Sequence, residues 1–260
     1  MKKTIFILIL CLCIISLYPT NIFANSQTFS WYCVRNKEHL QPIADANMRF
    51  VENYNGYYID HNHSNNDNEK VIYITFDAGY ENGNIEKILN VLKEEEVKAA
   101  FFILENLIIK NPELITRMAN EGHLVCNHTS NHPDITIFTS KEELKKELCS
   151  LEEAYFCVTG KSMAKYFRPP EGKFSEQSMK YINELGYKTI FWSFAYADWD
   201  NNAQMTPEQA KKKILDNIHN GEVMLLHPTS NTNAYILKDI IQQLKSEGYS
   251  FGSLEELTQS

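Results

Sequence analysis

The sequence is short of positive charge. Its 25 Lys and Arg face 33 Asp and Glu, for a formal net charge of −8, and no basic run is longer than Lys211-Lys212-Lys213. Nucleic-acid binding, which needs clustered cations against phosphates, is therefore not expected. No Gly-x-Gly-x-x-Gly follows the first predicted strand, so a dinucleotide-binding reading has no support. His-Glu-x-x-His is absent, which disfavours a zinc peptidase, and no Gly-x-Ser-x-Gly nucleophile elbow is expected for a serine hydrolase. No repeat recurs at a fixed period. Cysteine is sparse, with six in 260 residues. Cys33, Cys126, Cys149 and Cys157 lie beyond the leader described next, too few to staple a chain of this length. Cys149 and Cys157 stand eight apart on a predicted helix, too far to pair with each other. All four are expected to be mostly buried small hydrophobes.

What the chain does contain is apolar surface enough for one sizeable domain or two small ones: 43% hydrophobic and 12% aromatic residues. Lys2 and Lys3 precede the apolar run Ile5 to Leu17, and Ile22-Phe-Ala24 follows. This layout predicts a signal peptide over residues 1–24 with cleavage after Ala24. The run is shorter than the ~20 residues of a membrane span. Leu10 before Cys11 is bulkier than a lipoprotein site expects. An exported, extracytoplasmic protein is predicted, with no membrane partner after cleavage.

Residues 25–70 read as an N-terminal extension whose Trp31, Tyr32, Met48, Phe50, Tyr54, Tyr57 and Tyr58 pack on the outside of the main domain. Asp60 to Asn68 reads as a solvated polar loop: the spacing of His61 and His63 would suit a metal pair only on a strand, and Asn and Asp surround them. From Val71 strands and helices alternate. Strands are predicted at Val71–Thr75, Ala99–Leu104, His123–Cys126, Tyr166–Arg168, Lys188–Trp192, Val223–Leu226 and Tyr249–Gly252. Helices are predicted at Asn84–Glu95, Pro112–Asn120, from a cap at Thr139 or Ser140 (Ser140-Lys-Glu-Glu143 fits a capping box) to about Val158, and at Ser175–Leu185, Pro207–Asn220 and Tyr235–Ser246. The fold class is α/β, a distorted, incomplete (β/α) barrel of about seven parallel strands occupying residues 71–260, with an open doubly wound sheet as the alternative.

The chemically unusual residues cluster after the predicted strands, where β/α barrels carry their sites. Asp77 precedes Gly79 and is either a general base or a turn-forming residue. His128 and His132, four apart in Asn127-His-Thr-Ser-Asn-His-Pro133, either form a metal pair suited to zinc, cobalt or nickel or simply face water. Arg168, before two prolines, can orient a carboxylate through paired hydrogen bonds or sit in a surface ion pair. Asp198 can hold His227 protonated as a general acid, the alternative being a core histidine bonded to backbone.

In this order the motifs resemble the polysaccharide deacetylase family, also called NodB-homology or carbohydrate esterase family 4, from about Val71 to about Leu254. The segment Thr75-Phe-Asp-Ala-Gly-Tyr-Glu-Asn-Gly83, together with Trp31, Gln41-Pro42 and Phe191-Trp-Ser193, is similar to the delta-lactam-biosynthetic de-N-acetylases of spore-forming bacteria. The resemblance implies metal-dependent removal of the acetyl group of N-acetylmuramic acid in peptidoglycan, on the route to muramic delta-lactam in spore cortex. It implies Asp77 as base, His128 and His132 as metal ligands, Arg168 ordering the base, the Glu171 N–H as oxyanion donor, Asp198 tuning His227 as acid, and Trp199 and Leu225 walling the acetyl pocket. The cofactor implied is a divalent metal, zinc first, with cobalt or manganese as alternatives. The partner is a peptidoglycan glycan strand, and a monomer is expected. One position departs: Ala78 stands where the family has a second, metal-binding aspartate, leaving two protein ligands where catalytic zinc has three. The rival reading is a catalytically impaired glycan-binding protein on the same barrel.

Overall fold

A computed structural model of the chain describes residues 27–35, 38–63 and 68–259. The leader expected over 1–24, with Cys11 and Ala24, lies outside the described residues. Four short strands open the described chain: β1 (Thr28–Ser30), β2 (Cys33–Val34), β3 (Ile43–Ala44) and β4 (Gly56–Tyr57). Then follow β5 (Lys70–Ala78), α1 (Ile85–Glu94), β6 (Ala100–Ile103), α2 (Glu105–Lys110), α3 (Pro112–Asn120), β7 (Leu124–Asn127) and α4 (Lys141–Thr159). The remainder is β8 (Ala164–Phe167), β9 (Lys173–Ser175), α5 (Glu176–Glu184), β10 (Lys188–Ile190), α6 (Pro207–Leu215), β11 (Glu222–Leu226), α7 (Asn231–Ser246), β12 (Tyr249–Phe251) and α8 (Leu254–Leu257).

The main sheet runs β11-β5-β6-β7-β8-β10-β4, every ladder parallel, with β12 also pairing the start of β5. The sheet curls until its ends nearly meet. Single bridges, Ile59 to Glu222 and Phe194 to Met224, span the seam instead of a full ladder. The result is the distorted, incomplete barrel expected, with the helices around it.

Strand alternation sorts the core into layers. On β5, Ile72, Ile74, Phe76 and Ala78 belong to the layer between sheet and helices, with Ile88, Leu89 and Leu92 of α1 and Ile236, Leu237, Ile240 and Ile241 of α7. Val71 and Tyr73 face the barrel interior with Phe102, Cys126, Val223 and, from α8, Leu254 and Leu257. The α1 residues Ile85, Ile88, Leu89 and Leu92 are all buried, each contributing on the order of 1.5–3 kcal/mol.

Several elements differ from the sequence reading. β5 runs to Ala78, so Asp77 is on the strand, paired opposite Phe102, and not in a turn after it. The six-residue helix α2, not expected from the pattern, begins after Leu104. α6 stops at Leu215 and not at Asn220, because Asn220 instead accepts from the Val71 N–H at 2.8 Å and donates to the Glu69 carbonyl. α7 starts four residues before Tyr235, where Ser230 caps the Asn233 N–H. Ser140 caps α4 as expected. The Glu143 carboxylate, however, takes the Thr139 N–H and hydroxyl at 3.1 Å, one residue short of a closed box.

The segment before β5 does more than coat the barrel. β4 adds a strand beside β10. The Asp60 loop is anchored by burial: the Asp60 carboxylate accepts from the Tyr73 hydroxyl at 2.5 Å and from His63 Nδ1 at 2.7 Å. Only His61 of that pair is exposed, so the fully solvated loop is corrected for Asp60 and His63. Among the four described cysteines only Cys126 is buried; Cys33 and Cys149 are half-buried and Cys157 is exposed, and all four are free thiols. Cys157 lies near the end of α4, in a surface groove it shares with Phe156 and Met163. No helix among the described residues is long and apolar enough to cross a membrane.

Candidate active site

A cleft of about 640 Å³ opens at the C-terminal ends of the sheet strands, lined by Asp77, His128, His132, Glu171, Trp199, Leu225 and His227 among others. Every predicted site residue lines it except Arg168 and Asp198, which lie directly behind it.

Arg168 follows β8 and is fully buried, which rules out the surface ion pair. Its guanidinium is spent on fixed partners. Nε donates to the Ile190 carbonyl at 2.8 Å, Nη2 to the Phe191 carbonyl at 3.0 Å and Nη1 to Asp77 Oδ1 at 2.9 Å. It stacks 4.2 Å above the Phe102 ring. Burial alone would push Asp77 towards protonation, but the charge and hydrogen bond of Arg168, with the charge of His227, override it and hold the carboxyl below the usual carboxylate range. Asp77 is thus an ionised carboxylate with Oδ1 occupied and Oδ2 facing the cleft.

His128 is buried and His132 exposed. His128 Nδ1 donates to the Arg168 carbonyl at 2.8 Å, which fixes the tautomer and leaves the Nε2 lone pair outward. Burial pushes its pKa down to about 4, against the pull of Asp77. The neutral Nε2 then faces Asp77 Oδ2 at 3.6 Å, two acceptors directed at each other. Such a pair is repulsive unless an electropositive species lies between them. The His132 ring stands 5.1 Å from that of His128, edge to face. The donor set therefore fits a divalent cation, held by two imidazoles. Among the described residues no group of three or more His, Cys, Asp and Glu side chains is arranged to hold a metal. Strand parity adds to the reason: Ala78, next to Asp77, has its methyl in the helix-facing layer.

The loop carrying these imidazoles is strained. Thr129 and His132 adopt φ 71° and 59°, left-handed conformations that cost non-glycine residues about 1–3 kcal/mol each. Asn127 Oδ1 accepts from the Thr129 N–H at 2.8 Å, and Thr129 Oγ1 from the His132 N–H at 2.9 Å.

Across the cleft His227 Nδ1 donates to Asp198 Oδ1 at 2.7 Å, and the His227 N–H to Asp198 Oδ2 at 2.8 Å. His227 is thus bonded to a carboxylate and not merely satisfied by backbone. Burial opposes its charge, but the Asp198 hydrogen bond and charge, aided by Asp77, outweigh burial and raise its pKa above the ordinary imidazole value. Asn233 of α7 donates to Asp198 Oδ2 at 2.5 Å and Tyr196 donates to Asn233, a supporting chain that sequence reading missed. The only signal for it would have been Asn233 in the first turn of a helix capped by Ser230.

Glu171 sits at φ 55° in the turn after the two prolines, its side chain paired with Lys173. Its neighbour Gly172 is needed for close approach: a Cβ there would meet the Trp192 ring at 2.7 Å. Trp192, Ala195 and Tyr196 also line the cleft and were not predicted to. Trp31, from the extension, props this wall. Its indole N–H donates to the Trp192 carbonyl at 2.8 Å and its ring stacks on Phe191 at 4.3 Å.

Gly248-Tyr-Ser250-Phe-Gly252 does spell Gly-x-Ser-x-Gly. Ser250 lies on β12, at the opposite end of β5 from Asp77, and its hydroxyl donates to the Lys70 carbonyl at 3.0 Å. It makes no strand-to-helix elbow and has no part in the cleft.

The profile of the polysaccharide deacetylase family matches residues 64–190. Peptidoglycan-N-acetylmuramic acid deacetylase PdaA of Bacillus subtilis (strain 168) is 39% identical over 233 residues, 89% of this chain and 86% of that protein. The solved structure of Bacillus subtilis PdaA, a family 4 carbohydrate esterase, has a TM-score of 0.83 at 38% identity, covering 89% of this chain and 97% of that one. A peptidoglycan-N-acetylglucosamine deacetylase of Bacillus cereus is 32% identical over 197 residues, 74% of this chain and 70% of that protein. The structure of a family 4 pseudoenzyme from Bacillus anthracis has a TM-score of 0.69 at 26% identity, covering 78% of this chain and 68% of that one.

Proposed function

The chain belongs to the polysaccharide deacetylase family, and from that premise we propose that it hydrolyses the N-acetyl amide of N-acetylmuramic acid in peptidoglycan. The observation that carries this reading is the opposition, across one cleft, of an ionised carboxylate and a carboxylate-backed imidazole: Asp77 tied to Arg168, and His227 tied to Asp198.

A divalent cation held by His128 and His132, zinc being our first choice, would polarise the acetyl carbonyl and acidify a water. Asp77 takes a proton from the attacking water through Oδ2, because Arg168 occupies Oδ1. The carbonyl becomes a tetrahedral oxyanion, and the Glu171 N–H is its donor on the protein side. His227, protonated because Asp198 favours its charge, gives its proton to the leaving nitrogen as the C–N bond breaks. Acetate and a free amine result. Trp199 and Leu225 flank the acetyl methyl and exclude bulkier acyl groups.

The finer assignments rest on the PdaA likeness. A muramic amine freed in this way stands near the lactyl carboxyl, so the product suits closure to a delta-lactam, and a role in spore cortex follows. That in turn requires export. Ala78, together with the likeness to a pseudoenzyme, favours a second reading, a glycan-binding protein without turnover.

Mass spectrometry of peptide-free glycan strands, treated with the chain and cut into disaccharides, separates the sugars. Acetyl loss at muramic acid supports the proposal. Loss at glucosamine alone overturns the sugar assignment, and binding without any loss favours the second reading.

A further inference from the structure

With Ala78 supplying no ligand, any cation depends on two imidazoles, and one of them, His132, is an exposed side chain on left-handed backbone. Its position is set by what holds the backbone around it. The Glu147 carboxylate of α4 accepts from the Asn131 N–H at 2.6 Å and from the Asn131 side-chain amide at 3.1 Å. Leu148, the next residue, accepts from the Asn127 amide at 3.0 Å. Ser150 donates to Glu105 at 2.9 Å, and Glu105 also accepts from the Ser130 hydroxyl. One turn of α4, residues 147–150, thus grips the loop at positions 127, 130 and 131, between and beside the two imidazoles.

We infer that Glu147 is a positioning residue for the imidazole pair, fixing His132 relative to His128 through its hold on Asn131. The inference rests on the reading of His128 and His132 as cation ligands. An ordinary half-exposed helix glutamate is bonded to solvent or to a neighbour one turn away; Glu147 instead reaches sixteen positions back to a backbone N–H adjacent to the ligand. The bond is charge-assisted and short. Its acceptor role survives substitution by glutamine, whose amide oxygen can still take the Asn131 N–H.

The test is calorimetric titration of zinc into the metal-stripped full chain and its Glu147→Ala and Glu147→Gln variants, with thermal unfolding of each without metal. Residues that orient metal ligands typically change affinity about 10- to 100-fold. Glu147→Ala is expected to weaken zinc by that factor, and Glu147→Gln to retain most of the affinity, with melting temperatures close to the parent's in both. Zinc affinity unchanged in Glu147→Ala overturns the inference. So does equal weakening in both variants, which would make the charge responsible and not the hold on Asn131. An unmodified chain that binds no zinc overturns the cation reading itself, and is distinguished from the other outcomes by the parent titration alone.

Discussion

Asp77 and Arg168 are ninety-one positions apart, and Arg168 Nη1 lies 2.9 Å from Asp77 Oδ1 with the guanidinium fully buried. The same guanidinium holds two carbonyls at the end of β10, so it joins three strands of the barrel at the floor of the cleft.

Replacing Arg168 with Ala leaves a buried carboxylate without its counter-charge and two carbonyls without donors. Breaking such a pair typically costs about 3–5 kcal/mol. Urea unfolding is expected to show a loss of that order, and the acid limb of activity is expected to move to higher pH as Asp77 loses the group that keeps it ionised. Arg168→Lys is expected to recover little, since one ammonium cannot serve three directions at once.

The pH dependence follows from two opposite shifts. The folded pKa of Asp77 is depressed, so the stability its pairing brings is present above the ordinary carboxylate range and is lost as pH falls through the depressed value. The folded pKa of His227 is raised, so its contribution is full below the ordinary imidazole value and is lost as pH rises through the raised one. The proposed roles need Asp77 ionised and His227 protonated, so kcat/KM is expected to be bell-shaped. Asp198→Asn removes the main cause of the His227 shift and is expected to move the alkaline limb to lower pH. His227→Ala is expected to lower kcat by about 10²–10⁴.

Trp31 reaches across 161 positions to prop Trp192 and stack on Phe191. Trp31→Ala is expected to cost about 3–5 kcal/mol in urea unfolding, as large-to-small changes at buried aromatics do. It is also expected to lower kcat/KM, because the cleft wall loses its support.

Tyr73→Phe removes one donor from the buried Asp60 carboxylate. An under-satisfied buried acceptor costs about 1–3 kcal/mol. Calorimetric melting is expected to show that loss with acetate release unchanged, since Tyr73 faces the barrel interior far from Asp77's end of β5.

The alternation of strands and helices was legible because each element carries its own periodicity and its own stop, as at Gly122 and Gly186, both at positive φ. The cleft residues were legible because Asp77, His128, Arg168, Asp198 and His227 follow one another in a spacing that a barrel brings to one rim. Two kinds of feature were not. β4 is two residues long, too short for a pattern, and exists because β10 beside it supplies a partner. Trp31 and Asn233 act through contacts that only the closed fold creates. The left-handed His132 gave no signal either, since neither glycine nor a turn dipeptide marks it.

The proposed roles of Asp77 as base and His128 as cation ligand in removal of an N-acetyl group are tested most directly by acetate release. Residues 25–260 are given peptide-free peptidoglycan, with zinc and with a chelator, beside the Asp77→Asn and His128→Ala variants. Zinc-dependent release is predicted, suppressed by chelator and lost in both variants with glycan binding retained. Release unaffected by Asp77→Asn, or none from the unmodified chain under any metal, would contradict those roles.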